Sequence, residues 1–338
     1  MENDVSIILI NYHTSGLIID CLHSVITFLH DITIEVIIVD NDPQFGQKEL
    51  ILEKFPFVKY ITMDSNVGFG RANNAGMRQA SGRYFLLLNS DTIVRDDVIE
   101  RFVRRMDKRP DVIACGAMQY DAEDNPMNYY TSFNDFRKTF YILPPGKFST
   151  FLLDLLYPEP RYADPDQHDW LVGAFIFLRR EGFDLTQGFD EDFFMYGEDV
   201  EWSGRLGKLG KLCYFKDSKF IHLENKNPFR RSRISWINRF SVQMQVSNLV
   251  WIRKQYGIFA YLLLIFHYAL MIPVVYLWRM VINVKEDGNP FSRLTTQHIY
   301  ARKSRVLFRY FWKTILLRKG MYKIQPSENI DILTAHGA

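Results

Sequence analysis

Phe85-Leu-Leu-Leu-Asn-Ser-Asp91 is an apolar run that stops abruptly on two polar side chains and a carboxylate. With Ser81-Gly82 upstream, it suits a strand buried on both faces of a parallel sheet. Open α/β sheets collect ligands at the carboxyl ends of their strands, which is where Asn89 and Asp91 then stand. A carboxylate placed there can hold a divalent cation, and the cation can hold a diphosphate. The plainer alternative is a helix cap, since Asp91-Thr92 also precedes an expected helix over Val94–Met106.

Two earlier strands end the same way. Val5-Ser-Ile-Ile-Leu-Ile-Asn11 and Ile34-Glu-Val-Ile-Ile-Val-Asp40 are apolar runs closing on a polar side chain. Helical patterns over 16–29 and 47–54 follow them, then a strand over 57–63 and a helix over 68–80. A further strand is expected over 112–118. Strand and helix alternating at short intervals predict an α/β fold with a wound, mostly parallel sheet and flanking helices. Asn11, Asp40 and Asn89-Ser90-Asp91 then line one rim. Residues 120–168 lose this rhythm and read as loops and an irregular subdomain over an acceptor cleft. Trp170–Leu178 returns to strand character, a helix runs to about Leu209, and two short strands cover 211–215 and 219–222. The composition changes after His222. This divides the chain into a catalytic domain, 1–225, and a helical, basic extension, 226–338.

At 338 residues the chain is ample for one catalytic domain and an appendage. Its three cysteines, Cys21, Cys115 and Cys213, form no C-x-x-C pair. A disulfide framework or cysteine zinc site is not expected, and a reducing cytosol is the natural setting. Met1-Glu-Asn-Asp has no basic leader, and Val5–Ile10 is too short for a signal peptide, so export by that route is not expected.

The net charge of +2 hides a split: 18 Lys/Arg face two acids between Lys226 and Lys323, and the remainder has 23 basic against 37 acidic residues. That asymmetry predicts an anionic surface as partner of the extension. Between Lys254 and Arg279, 24 residues carry no Asp, Glu, Lys or Arg. About 20 suffice to span a bilayer, but basic clusters on both flanks argue against a simple span. His267 and Pro273 suit a bent, interfacial or re-entrant segment, and Arg293–Lys319 reads as a basic amphipathic helix. The expectation is attachment of residues 226–338, through 255–278, to the cytoplasmic face of the inner membrane. The soluble alternative is a buried helix. Nucleic acid is not expected as a partner.

Four local patterns carry chemistry. Asp40 can accept the imide N–H of a pyrimidine base, or be a solvated turn acid before Asn41-Asp-Pro. Asn66-Val-Gly-Phe-Gly-Arg-Ala-Asn-Asn-Ala-Gly76 puts Gly68 at a helix mouth, with Arg71 and Asn74 in its first turns, which suits an anion. It is not a G-x-G-x-x-G dinucleotide loop, because the glycine spacing is wrong. Glu198, Asp199 and Glu201 crowd a helix start, where an ionised acid can serve as base or simply complement the dipole. His222 ends an apolar run and is a ligand or an ordinary histidine.

Taken in order, these motifs resemble the family 2 glycosyltransferases of GT-A fold, and more closely their bacterial rhamnosyltransferase-like branch. The likeness covers about residues 4–225 and also rests on Leu171-Val-Gly-Ala-Phe, Gly188-Phe-Asp-Glu-Asp-Phe-Phe-Met-Tyr and Ile221-His222. It implies an inverting transfer from a nucleotide sugar (dTDP-rhamnose ahead of UDP-hexoses) to a lipid-linked or polysaccharide hydroxyl. By that resemblance Asp40 contacts the base, and Asn11, Asn41, Gly68, Arg71, Asn74 and Asn89 join it at the donor site. Asp91 and His222 hold Mg²⁺ or Mn²⁺, and Asp199, with Glu198 beside it, is the catalytic base. Two departures stand out: Asn89 replaces the first acid of the family's D-x-D, and the turn after Asp40 lacks the common Asn-Asn-Ser-x-Asp-Gly form. A hydrolase using an Asp91/Asp199 pair, or a silent nucleotide-sugar-binding protein, are the rival readings.

Overall fold

The structure, a computed structural model, describes residues 3–45, 47–127, 132–223 and 235–329. It forms two compact units, of which the first holds residues up to 132 together with 161–194 and 198–225.

The first unit is built on one sheet of strands β1 (Val5–Asn11), β2 (Ile34–Asp40), β3 (Lys59–Thr62), β4 (Tyr84–Leu88), β5 (Thr92–Ile93), β6 (Val112–Tyr120), β7 (Gln167–His168), β8 (Phe175–Arg179) and β9 (Lys211–His222). The order is β3-β2-β1-β4-β8-β6-β9-β5, with β7 beside β9. Strands β1 to β4 are mutually parallel, and β6 runs parallel to β9. Strand β8 is antiparallel to both β4 and β6, so those six strands share one direction while β5, β7 and β8 oppose them. The sheet is therefore mostly parallel, as the alternation predicts.

The helices explain why the strands read as unbroken apolar runs. Val5, Ile7 and Leu9 of β1, and Leu86 and Leu88 of β4, pack with helices α1 (Ser15–Thr27) and α4 (Val98–Lys108). Ile8, Phe85 and Leu87 face the other way, onto α3 (Phe69–Met77), α7 (Arg180–Thr186) and α8 (Glu198–Leu206). Helix α2 (Lys48–Lys54) completes this set. With both faces covered, every position of β4 is buried and period-2 alternation disappears.

Several sequence expectations change. Asp91 caps no helix, because β5 follows it and α4 begins only at Val98, whose N–H is taken by Asp96 Oδ1 at 3.0 Å. The strand expected from Trp170 starts at Phe175. The two strands expected at 211–215 and 219–222 are one, β9: a register shift against β6 between Ala117↔Phe215 and Met118↔Lys219 takes up the polar Lys216–Ser218.

The second unit holds residues 133–160, 195–197 and 226 onward. Residues 133–160, placed in the catalytic part by the boundary near 225, thus belong to the compact unit of the C-terminal region. They carry α5 (Phe133–Lys138) and α6 (Lys147–Leu156), joined by α9 (Val242–Asp287), α10 (Thr295–Arg309) and α11 (Phe311–Ile315). The helix expected over Arg293–Lys319 is the α10–α11 pair. Phe133, Phe136 and Phe140 surround Trp251. Tyr268 Oη donates to Phe140 O at 2.7 Å, and Ile142 N–H to His267 Nε2 at 2.9 Å. The break in α9 falls at Gly257, where φ is +86°, and Pro273 continues the helix.

Candidate active site

Register alone brings the strand ends together. Asn11 lies opposite Asp40 and Asp40 opposite Thr62, so β1 to β3 finish on one rim, and Leu88 of β4 finishes opposite Phe175.

Asp40 is buried and already oriented. Tyr60 Oη donates to its Oδ2 at 2.8 Å, and Asp42 N–H to its Oδ1 at 3.2 Å. Burial, with Asp40 alongside, pushes the Tyr60 hydroxyl well above its ordinary value, so it stays a donor at neutral pH. Asn11 Nδ2 reaches Tyr60 Oη at 3.3 Å and its Oδ1 takes the Thr14 N–H at 3.1 Å. Asn11 therefore ties α1 to the rim. Tyr60 was not singled out in the sequence, because nothing local marks a tyrosine of β3 as the partner of an acid 20 residues earlier.

The glycine-rich segment is held by protein atoms. Asn41 Oδ1 accepts Val67 N–H at 3.0 Å, Asn66 Oδ1 accepts Gly68 N–H at 3.0 Å, and Phe194 O accepts Phe69 N–H at 3.1 Å. Three of the amides at that helix mouth, those of Val67, Gly68 and Phe69, are thus already engaged. Gly68 has φ +88°, and a Cβ there would come within 2.2 Å of Phe194 O, so the glycine serves a backbone crossing. Arg71 Nε donates to Glu191 O at 2.8 Å. Asn74 is buried and spans the Phe189 peptide edge, donating to its carbonyl at 2.8 Å and accepting its N–H at 2.9 Å. Arg71 and Asn74, expected at the donor, bind the 188–191 loop.

Asp91 and His222 do meet, because Thr92 pairs with His222 across β5 and β9. Asp91 Oδ1 lies 3.1 Å from His222 Nε2, each side chain being 13% exposed. His222 Nδ1 is 2.6 Å from Gln119 Nε2. In that orientation the amide donates to Nδ1, so Nε2 carries the ring proton and gives it to Asp91. Gln119 falls just past the strand end expected at Met118, which is why sequence reasoning missed it. No described residue hydrogen-bonds the Asn89 side chain; the Asn89 main-chain N–H donates to Ala174 O at 3.0 Å.

Do these residues fit a divalent metal? Among the described residues no group of three or more His, Cys, Asp or Glu side chains gathers. Two side chains of ligand type nevertheless stand together, Asp91 and His222 at 3.1 Å, and they would hold such an ion once the His222 ring proton sat on Nδ1 rather than Nε2. The remaining positions would fall to a diphosphate and water.

Asp199 opens α8 after Glu198, which is buried. Its Oδ2 accepts Gly173 N–H at 3.1 Å and its Oδ1 accepts Val200 N–H at 2.9 Å. Protein surrounds the carboxyl and pushes it up to about 6, against those two N–H groups, which favour its charged form. It keeps a partly exposed surface. Gly173 adjoins Ala174, whose carbonyl holds Asn89, so the candidate base and the Asn89–Asp91 turn are two peptide units apart across the rim. Glu201 is engaged with Arg205 at 2.8 Å, and Arg205 also donates to Thr186 O and Gly188 O, each at 2.7 Å.

The family described as glycosyl transferase family 2 matches residues 6–184. An N-acetylglucosaminyl-diphospho-decaprenol L-rhamnosyltransferase of Mycobacterium tuberculosis is 24% identical over 209 residues, covering 56% of this chain and 66% of that protein, just under two thirds of its length. Rhamnosyltransferase WbbL of Escherichia coli is 24% identical over 213 residues, covering 59% of this chain and 77% of WbbL. The mannosyltransferase PcManGT of Pyrobaculum calidifontis, solved with GDP-Man and Mn²⁺, superposes with a TM-score of 0.51 at 14% identity, over 94% of this chain and 89% of that one. At that identity the likeness is one of fold.

Proposed function

Since the chain belongs to glycosyl transferase family 2, we propose that it moves a sugar, rhamnose ahead of a hexose, from a nucleoside diphosphate donor to a hydroxyl of a lipid-linked or cell-surface glycan. The relatives in Mycobacterium tuberculosis and Escherichia coli, both named as rhamnosyltransferases, support that choice of sugar. The observation that carries the reading is the raised Asp199 carboxyl, across one rim from the Asp91–His222 pair.

Asp40, fixed by Tyr60, accepts the imide N–H of a thymine or uracil. Asp91 and His222 would hold Mg²⁺ or Mn²⁺, which supplies neutralising charge for the leaving diphosphate. Asp199, poised near neutrality, takes the acceptor proton as the hydroxyl oxygen attacks the anomeric carbon. Direct displacement inverts that carbon. The one acid of Asn89-Ser90-Asp91 leaves the metal held weakly until the diphosphate joins it. A thermal-shift screen of dTDP- and UDP-sugars with and without Mn²⁺ tests this, because a bound donor stabilises the fold by mass action. Stabilisation by one nucleotide sugar, dependent on Mn²⁺ and lost in Asp91→Ala, is expected. A shift that survives Asp91→Ala would overturn the metal assignment.

We further propose that residues 226–338 attach the enzyme to the cytoplasmic face of the inner membrane. Among the described residues one helix, α9, is long and apolar enough to cross a membrane, and 33% of its most apolar stretch is buried within the structure. Tyr261, Tyr268 and Met271 are buried. That supports a helix lying against lipid over one that spans it.

A further inference from the structure

The membrane reading above rests on α9, yet a second element presents a surface of the same kind. Helix α6 reads Lys147-Phe-Ser-Thr-Phe-Leu-Leu-Asp-Leu-Leu156. Phe148, Phe151, Leu152, Leu155 and Leu156 recur at the spacing of a helix face made for a core. None is buried: Phe148 is 78%, Phe151 65% and Leu155 68% exposed, and α6 contributes no buried residue at all.

The helix is nonetheless fixed in place. Asp154 is bound by Lys138 at 2.8 Å, and Lys138 also binds Glu159 at 2.8 Å. Tyr157, just past the helix, hydrogen-bonds Tyr141. Within the same unit α9 exposes Phe259, Phe266, Leu270 and Trp278. Two segments about 100 positions apart in sequence thus leave their apolar faces uncovered in one compact unit.

Charge selects the occupant. The described part of this unit beyond residue 235 has 14 Lys/Arg against Glu286, Asp287 and Glu328, and Lys285, Arg302, Arg305 and Lys319 are exposed. A second copy would bring the same net positive charge against itself, whereas an anionic bilayer meets both the apolar stripe and a unit whose described residues carry 17 Lys/Arg against six Asp/Glu. We propose that α6 is an interfacial helix, seated in the headgroup region of an anionic membrane as a second lipid contact beside α9. This rests on the membrane attachment proposed above, and it assigns to lipid a segment embedded between two catalytic-unit strands, β6 and β7.

Full-length protein is floated with phosphatidylglycerol-containing vesicles, comparing wild type with Phe151→Glu/Leu155→Glu in α6 and Phe266→Glu/Leu270→Glu in α9. The four side chains are exposed, so thermal unfolding should be unchanged. Each pair should lower the vesicle partition coefficient about tenfold or more, through lost apolar burial and added like charge. An α6 pair that floats as well as wild type overturns the inference and leaves α9 attachment standing. Wild type that floats with no vesicle overturns both. If wild type is instead a dimer in solution and the α6 pair is monomeric, the stripe is covered by a second copy and the inference also fails.

Discussion

The two halves of the rim use similar polar residues for opposite ends. At the ends of β1, β2 and the mouth of α3, amides and hydroxyls are spent on the protein: Asn11 on Thr14, Asn41 on Val67, Asn74 on Phe189. Where β4 and β9 end and β8 begins, Asp91 has among the described residues one side-chain partner, His222, and Asp199 is met by two backbone N–H groups. A family motif is therefore no roll of ligands. Some of its residues shape the crevice, and on the function proposed above fewer perform the reaction.

Swapping atoms without changing shape separates the two roles. The largest effect is expected from Asp199→Asn, which cannot accept the proton: turnover should fall roughly 10²–10⁴-fold, with donor thermal shift retained. If Glu198→Gln loses turnover instead, the buried neighbour is the base. Asn74→Leu belongs to the other class. It strands two buried backbone groups of Phe189, so chemical denaturation should show a loss of about 2–4 kcal/mol, while kcat of the protein still folded should change little. A kcat loss matching that of Asp199→Asn would move Asn74 into the reaction.

Gln119→Leu probes the boundary between these classes. Metal ligation through His222 Nε2 requires the proton on Nδ1, so the Gln119 amide must turn its oxygen toward the ring. Losing that acceptor should weaken Mn²⁺ affinity, read by titration with donor present, about 10–100-fold. Unchanged affinity would show that His222 stays outside the metal shell. The mildest probe is pH. The Asp199 carboxyl, raised to about 6, is charged above that value and protonated below it. Turnover should hold above it and drop about tenfold per unit below it, and an inflection near 4 would mean that burial does not govern the base.

The strand ends were legible in the sequence because an apolar run stopping on Asp40 or Asn89 is a local event, visible in one dimension. The Asp91–His222 pair was legible only through the family likeness, since 131 residues separate partners that the β5–β9 ladder joins. Three features gave no such signal. Strand β8 enters antiparallel, which its apolar sequence cannot express. Tyr60 and Gln119 act through partners set by tertiary packing. The periodicity of α6 is present in 148–156, but it was lost among the Pro- and Tyr-rich residues around it, and period alone does not say whether a stripe meets a core or something else.

The peptide bridge from Asp199 through Gly173-Ala174 to Asn89 also bears on how such an enzyme can be re-engineered. On the Gly173-Ala174 side both attachments use main-chain atoms, so the gap between the Asp199 carboxyl and the Asn89–Asp91 turn is a gauge cut into that backbone. Exchanging side chains along Leu171-Val-Gly-Ala-Phe175 cannot lengthen or shorten it. A programme aimed at bulkier acceptors would do better to vary the surrounding walls and leave that pentapeptide at its natural length, because one inserted or deleted residue would change the gauge itself.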